Sequence, residues 1–264
     1  MKSNSHTIRK EWLVQDPVIS LSLEWMHGEV YLYRSTEQHV RIIQRASVHF
    51  PSKRCFTTRY HKGSLQIGDG RSKSFPIGIH FQRTSLAIGV PPSTLEQLYL
   101  RGVGTRFIVE DAQISHCECI CTSGQLHISG DTQQLSLRMV GSHVQSQHLT
   151  AEHMNIKGIS SRFQLAGQLS HIQANTTGRT LSIHSASMPQ SINSIATGCN
   201  VNLRIPNPNE GFRLHYKHVG GTLQSEFPLQ SNRDEHIYGN ASASFHAQVR
   251  GGQFTLGTYS SHSL

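Results

Sequence analysis

No run of apolar residues in this chain approaches the roughly 20 needed for a membrane helix. Charge is scarce, with Asp, Glu, Lys and Arg together making 15% of the sequence. Acids are scarcest: between Thr132 and Asn209 the only one is Glu152. Cleavage of a polysaccharide needs two acidic groups about 5–10 Å apart across the scissile bond, so that stretch holds no such pair. A 3.6-residue apolar periodicity is also missing from residues 98–225, and helices are not expected there. The five cysteines are an odd number without a disulfide framework, which favours a reducing compartment. Met1 to Lys10 lacks the apolar centre of an export signal. The chain as given is therefore expected to be cytoplasmic, or at the cell surface if an export segment is missing. The formal net charge is +8, yet the basic residues are dispersed and no aromatic residues interleave with them. A specific nucleic-acid partner is not expected.

What the sequence does have is a repeat. Apolar residues fall in pairs two apart, and each pair returns nine to ten residues later. Leu98/Leu100, Phe107/Val109, Cys117/Cys119, Leu126/Ile128, Leu135/Leu137 and Val144/Ser146 begin the series. Met154/Ile156, Phe163/Leu165, Ile172/Ala174, Leu181/Ile183, Ile192/Ser194 and Val201/Leu203 continue it. After a longer connection come Leu214/Tyr216 and Leu223/Ser225. A pair with one residue between is a strand signature, because neighbouring side chains point to opposite faces. Two such strands and two turns make a coil of about 18–20 residues, too short to stand alone. Stacking the coils sets equivalent strands side by side about 4.8 Å apart. The expected fold is an all-β, parallel β-helix or β-solenoid with two main sheets, right-handed like most parallel crossovers.

Gly104, Gly124, Gly141, Gly178, Gly198 and Gly220 fall at the corners, with Ser160 in the same slot of one coil. A six-residue period is absent, which sets aside the hexapeptide helix of acyltransferases. Repeated Gly-Asp turns are absent too, which sets aside the calcium β-roll. Residues 1–14 read as a tail or end cap, in which Ile8, Trp12 and Leu13 could make one helical turn. Residues 15–259 read as a single solenoid domain and 260–264 as a frayed end. Asp69 to Ser74 reads as a polar turn.

Several segments resemble a bacterial family, the putative-adhesin family of domains of unknown function. They are Leu21-x-Leu23 followed by Gly28-Glu29-Val30, the Leu86–Pro91 entry into the repeats and the Ile205-Pro206 exit. Gly251-Gly252-Gln253-Phe254 looks like the family's closing hairpin-like unit. The corners Cys121-Thr122-Ser123-Gly124 and Asn175-Thr176-Thr177-Gly178 look like its usual turns, while Arg138-Met139-Val140-Gly141 departs from them. The resemblance spans residues 17–259. It implies a β-solenoid without established chemistry.

Cys117-Glu118-Cys119-Ile120-Cys121, with His116 and His127 near, invites a zinc reading. Cys117 and Cys119, however, occupy the slots of Leu98/Leu100 and Leu135/Leu137. They are read as core residues, with Cys121 near a corner. His116, His153 and His171 each precede a first strand and could stack on one edge. Neither a metal nor any other cofactor is expected. Glu110, Asp111 and Asp131 are the acids left for catalysis, and they read as solvated turns. No catalytic residue is assigned.

The outward positions carry uncharged hydrogen-bonding groups. Asn155, Gln173 and Asn193 should align on one sheet, and Gln145, Gln164, Ser182, Asn202 and then Gln224 on the other. Such columns form amide ladders or a flat face for a ligand. Arg101, Arg138 and Lys157 would edge the first column. The expectation is a non-enzymatic, adhesin-like protein that binds a glycan, an anionic polymer or a protein on that face. A carbohydrate-active β-helix enzyme and a cytoplasmic regulator of envelope stress are the alternatives.

Overall fold

The computed structural model describes residues 7–71, 84–92, 95–206 and 211–259. Among them there is no α-helix, only a 3-10 turn at Ser52–Arg54. The chain divides into two units, residues 1–131 and 132–264. The first holds β1 (Thr7–Val14), β2 (Ser20–Arg34), β3 (Val40–Ala46), β4 (Thr57–His61), β5 (Ser64–Gly68), β6 (Ser85–Val90) and β7 (Leu95–Thr122). β8 (Gln125–Val140) begins in the first and ends in the second. The second holds β9 (His143–Ile159), β10 (Arg162–Thr177), β11 (Thr180–Ser185), β12 (Ser191–Thr197) and β13 (Asn200–Ile205). It continues with β14 (Phe212–Ser225), β15 (Gln230–Asn232), β16 (Glu235–Tyr238) and β17 (Ala243–Thr258).

In the second unit the nine-residue beat becomes parallel register. Met154 lies opposite Ile172, and Ile172 opposite Ile192. Phe163 lies opposite Leu181, and Leu181 opposite Val201. Every one of these side chains is buried. Alternation along each strand sends the apolar pairs inward, and burying each such side chain is worth about 1.5–3 kcal/mol.

Sequence order and stacking order then part. Among pairs of the first sheet, the sequence places Leu214/Tyr216 next after Ile192/Ser194. The structure inserts β17 between them. Ile192 lies opposite Phe245, and Phe245 opposite Leu214. Val201 lies opposite Phe254, and Phe254 opposite Leu223. The segment around Gly251-Gly252 is therefore not a closing hairpin but a corner inside an interior, doubly parallel strand. The physical reason lies in the side chains. Phe245 and Phe254 are each 1% exposed between two neighbours. β14 carries Gly220 and Thr222 in its exposed second half, residues that lose little by facing solvent, beside an exposed Val219. Antiparallel β16 covers only its first part, Phe212 to His215.

The first unit shows the same inversion. β2 is parallel to β7, with Leu21 opposite Leu98 and Val30 opposite Phe107. On its other side it is parallel to β5 and β6, with Leu21 opposite Leu65 and Val30 opposite Leu86. β4 flanks β5, β3 flanks β6 and β1 flanks β3, all antiparallel. The helical turn expected from Ile8, Trp12 and Leu13 is not there. Those residues belong to β1, with Trp12 opposite Ile42. One isolated helical turn is costly to nucleate, whereas the edge of β3 offers backbone partners.

The corners follow the glycines. Gly104, Gly141, Gly178, Gly198 and Gly220 all have φ between 56° and 68°, and Ser160 has φ 50°. Gly124 differs, for Ser123 takes the positive φ, at 53°. A Cβ on Gly124 would lie 2.3 Å from the Thr105 carbonyl oxygen, so glycine is needed there for space.

The polar turn read at Asp69 is instead buried. Asp69 is 4% and Arg71 2% exposed. Arg71 Nη2 lies 2.6 Å from Asp69 Oδ2, and Nε donates to Oδ1 at 2.8 Å. The same guanidinium donates to the carbonyls of Met26 and His27, and the Met26 N–H donates to Asp69. Its Cζ sits 5.5 Å over the ring of Trp25. The pair thus ties β5's exit to the corner of β2. Ser72 to Ser74 lie outside the described residues.

Candidate functional site

The second unit aligns the expected columns. Asn155 lies opposite Gln173, and Gln173 opposite Asn193. Because β17 is interior, the column continues through His246 to His215, whose rings stack 5.0 Å apart. Gln173 and Asn193 are exposed and Asn155 is half-buried. Among the described residues no side-chain hydrogen bond joins the three amides, so they are in line without forming a ladder. The other column does begin one. Gln145 Nε2 donates to Gln164 Oε1 at 3.0 Å, and His143 Nε2 lies 3.0 Å from the same oxygen. That column runs on through Ser182 and Asn202, then through Thr255 before Gln224.

Arg138 and Lys157 are exposed on the second unit. Arg101, on the first, is exposed too, with Nη1 3.8 Å from Glu24 Oε1. His153 and His171 stack at 4.8 Å, and His171 Nδ1 lies 2.9 Å from Ser191 Oγ. His116 belongs to the first unit, its Nδ1 3.3 Å from the Glu96 carbonyl oxygen. Among the described residues no group of three or more His, Cys, Asp or Glu side chains is arranged to hold a metal.

Cys117 and Cys119 are buried, as their slots in the repeat require. Cys121 is equally buried, 1% exposed, with its Sγ directed at the Thr105 carbonyl. Burial pushes the Cys117 thiol up to about 12 and Cys119 well above its ordinary value. The thiolate is the reactive form. Iodoacetamide at pH 8 should therefore leave Cys117 and Cys119 unmodified in the folded protein and label both in urea, as peptide mass spectrometry would read. Native labelling of Cys117 at the rate of a free thiol would contradict the burial.

Sequence reasoning missed a feature of the first unit. An open cleft of about 750 Å³ runs along one corner column, lined by His27, Glu29, Ser85, Arg106, Ser123 and Gln125 among others. Arg106 Nη1 and Glu29 Oε2 are 3.3 Å apart beside it. Two and four residues along β2 from Glu29, Tyr31 and Tyr33 stack at 5.0 Å. Tyr31 donates to the Glu110 carboxylate, which pushes its phenol up to about 12 with help from burial. Glu110 is thereby a partner of Tyr31. The signal in the sequence was Glu29-x-Tyr31-x-Tyr33, three large residues on the outward beat of β2.

No family model matches the chain, and no curated protein matches it. Solved structures do. A putative lipid-binding protein from Parabacteroides distasonis is 10% identical, over 95% of this chain and 96% of its own, with a TM-score of 0.44. A putative adhesin from Bacteroides fragilis is 11% identical, over 97% of this chain and 98% of its own, with a TM-score of 0.41. A putative cell adhesion protein from Clostridium sporogenes is 11% identical, over 95% and 99%, with a TM-score of 0.31. Two of these three are described as adhesion proteins.

Proposed function

We propose that residues 15–259 form one right-handed β-solenoid that acts as a non-enzymatic, adhesin-like binding module. Its ligand is an anionic polymer, an acidic glycan or a teichoic-type chain, held on the face of Asn155, Gln173 and Asn193. The beat from Phe107/Val109 through Leu126/Ile128 to Leu135/Leu137 has no break in sequence, which supports a single domain. The observation that carries the functional reading is the column itself. Amides that do not bond one another are left to bond a ligand, and exposed Lys157 and Arg138 stand on the same unit. Glu152 is the single acid between Thr132 and Asn209, so little negative charge opposes a polyanion there.

Each basic residue near an anionic surface is worth about 1 kcal/mol. Arg138→Glu with Lys157→Glu should thus weaken binding of a poly(glycerol phosphate) chain by at least about tenfold. The far-UV spectrum should not change, since both side chains are exposed. Raising salt from low to physiological should weaken the wild type in the same direction. Unchanged affinity in the double variant would remove the polymer from this face. No binding at low salt would leave the protein a purely structural role.

A further inference from the structure

We propose that the first unit carries a second, independent site, in which the cleft beside Glu29 and the tyrosines of β2 bind a neutral hexopyranose of a glycan. The site does not rest on the anionic-polymer reading above, and the charge balance of the two places differs. Val30 and Leu32 are each 1% exposed, so Glu29, Tyr31 and Tyr33 take the outward positions between and beyond them. Glu29 stands between Ser85 and Arg106 on the neighbouring strands. Tyr31 stands between Ala87 and Ile108, and Tyr33 between Gly89 and Glu110. The β6 side of this strip is thus made of Ser85, Ala87 and Gly89, which raise no wall. A Cβ on Gly89 would come within 3.1 Å of Tyr33 Oη, so the ring leans over the glycine.

The chemistry of the strip selects its occupant. In the cleft the carboxylate of Glu29 and the guanidinium of Arg106 cancel, and beside the tyrosines Glu110 already accepts from Tyr31, so among its described residues the strip has no unpaired cation for an anionic ligand. The same two groups offer an acceptor and a fork of donors spaced for neighbouring hydroxyls. Ser85, Ser123 and Gln125 add two hydroxyls and an amide around a cleft of about 750 Å³, within the common size range of small-ligand sites. Half-exposed tyrosine gives apolar ring surface with a polar tip. A pyranose has the matching split, with hydroxyls at its rim and a C–H surface on its ring. Phosphorylated or sulfated ligands would meet Glu29, and a lipid chain would meet the polar cleft.

The test is calorimetric titration of the full chain with cellotriose, maltotriose, mannotriose and chitotriose, each to about 10 mM. At least one should bind in the millimolar range or tighter. Tyr31→Ala and Arg106→Ala should each lose at least tenfold in affinity, and Glu29→Gln should lose affinity with the fold least disturbed. Matching circular dichroism and melting temperature would show that the variants fold. Arg138→Glu with Lys157→Glu should leave saccharide binding unchanged, which separates this site from the polymer face. Wild-type affinity in both Tyr31→Ala and Arg106→Ala would overturn the site. So would the absence of binding by all four saccharides.

Discussion

Asp69→Ala should lower the stability of the first unit by about 3–5 kcal/mol, the usual cost of leaving one charge of a buried pair alone. Arg71 is 2% exposed and cannot swing into water without opening the corner of β2. Without Asp69 it would lose its paired carboxylate, while the carbonyls of Met26 and His27 and the Trp25 ring do not neutralise its charge. The Met26 N–H and the Arg71 N–H would also lose their acceptor. Urea denaturation read by the fluorescence of Trp12 and Trp25, both in the first unit, would measure the loss. The double variant Asp69→Asn with Arg71→Met should recover part of it, because no unpaired charge would remain buried. A loss under about 1 kcal/mol for Asp69→Ala would mean that water reaches Arg71.

Phe245→Ala should cost the second unit a similar amount, about 3–5 kcal/mol. The ring lies between Ile192 and Leu214 and stacks on Phe212 at 5.1 Å, so no neighbour can close the space without moving a rung. Leu223→Ala is the control. That side chain is half-exposed on β14, and its truncation should cost about 1 kcal/mol. The contrast combines the size of the ring removed with the stacking order, which leaves Leu223 on the last parallel strand with one parallel neighbour. If β14 were interior and β17 at the end, Leu223→Ala would be the costlier change.

Much of this fold was legible because strand alternation and a fixed beat are local signals. Phe163, Leu165, Leu181 and Ile183 each announce an inward position by spacing, and the structure buries all four. Asn155, Gln173 and Asn193 align for the same reason, since one rung fixes the next. Stacking order is not local. Nothing in the spacing of Phe245 and Phe254 says that they precede β14 in space, because an interior and a terminal rung share one pattern. Only the size of their rings, against Val219 and Gly221, hints at it. Asp69 and Arg71 were misread for a related reason. A charged pair around a glycine looks like a solvated turn until Trp25 and the corner of β2 are seen to cover it. The cleft beside Glu29 is assembled from four separate corners, and a beat along the chain does not show what corners enclose. Cys121 was placed near a corner correctly, but its burial depends on the close approach of Thr105.

The continuation of the polar column past Asn193 depends on β17 lying between β12 and β14, and paired cysteines test that most directly. Asn193 lies opposite His246, and His246 opposite His215, all on outward positions. Adjacent parallel rungs sit about 4.8 Å apart, within the Cα separation of about 4.4–6.8 Å that a disulfide spans. Two rungs, roughly 9.6 Å, exceed it. Mild oxidation should therefore join Asn193→Cys to His246→Cys and leave Asn193→Cys with His215→Cys unjoined, as non-reducing peptide mapping would show. Ready closure of the 193–215 pair, with the 193–246 pair staying open, would contradict the interior position of β17 and the stacking order drawn from it.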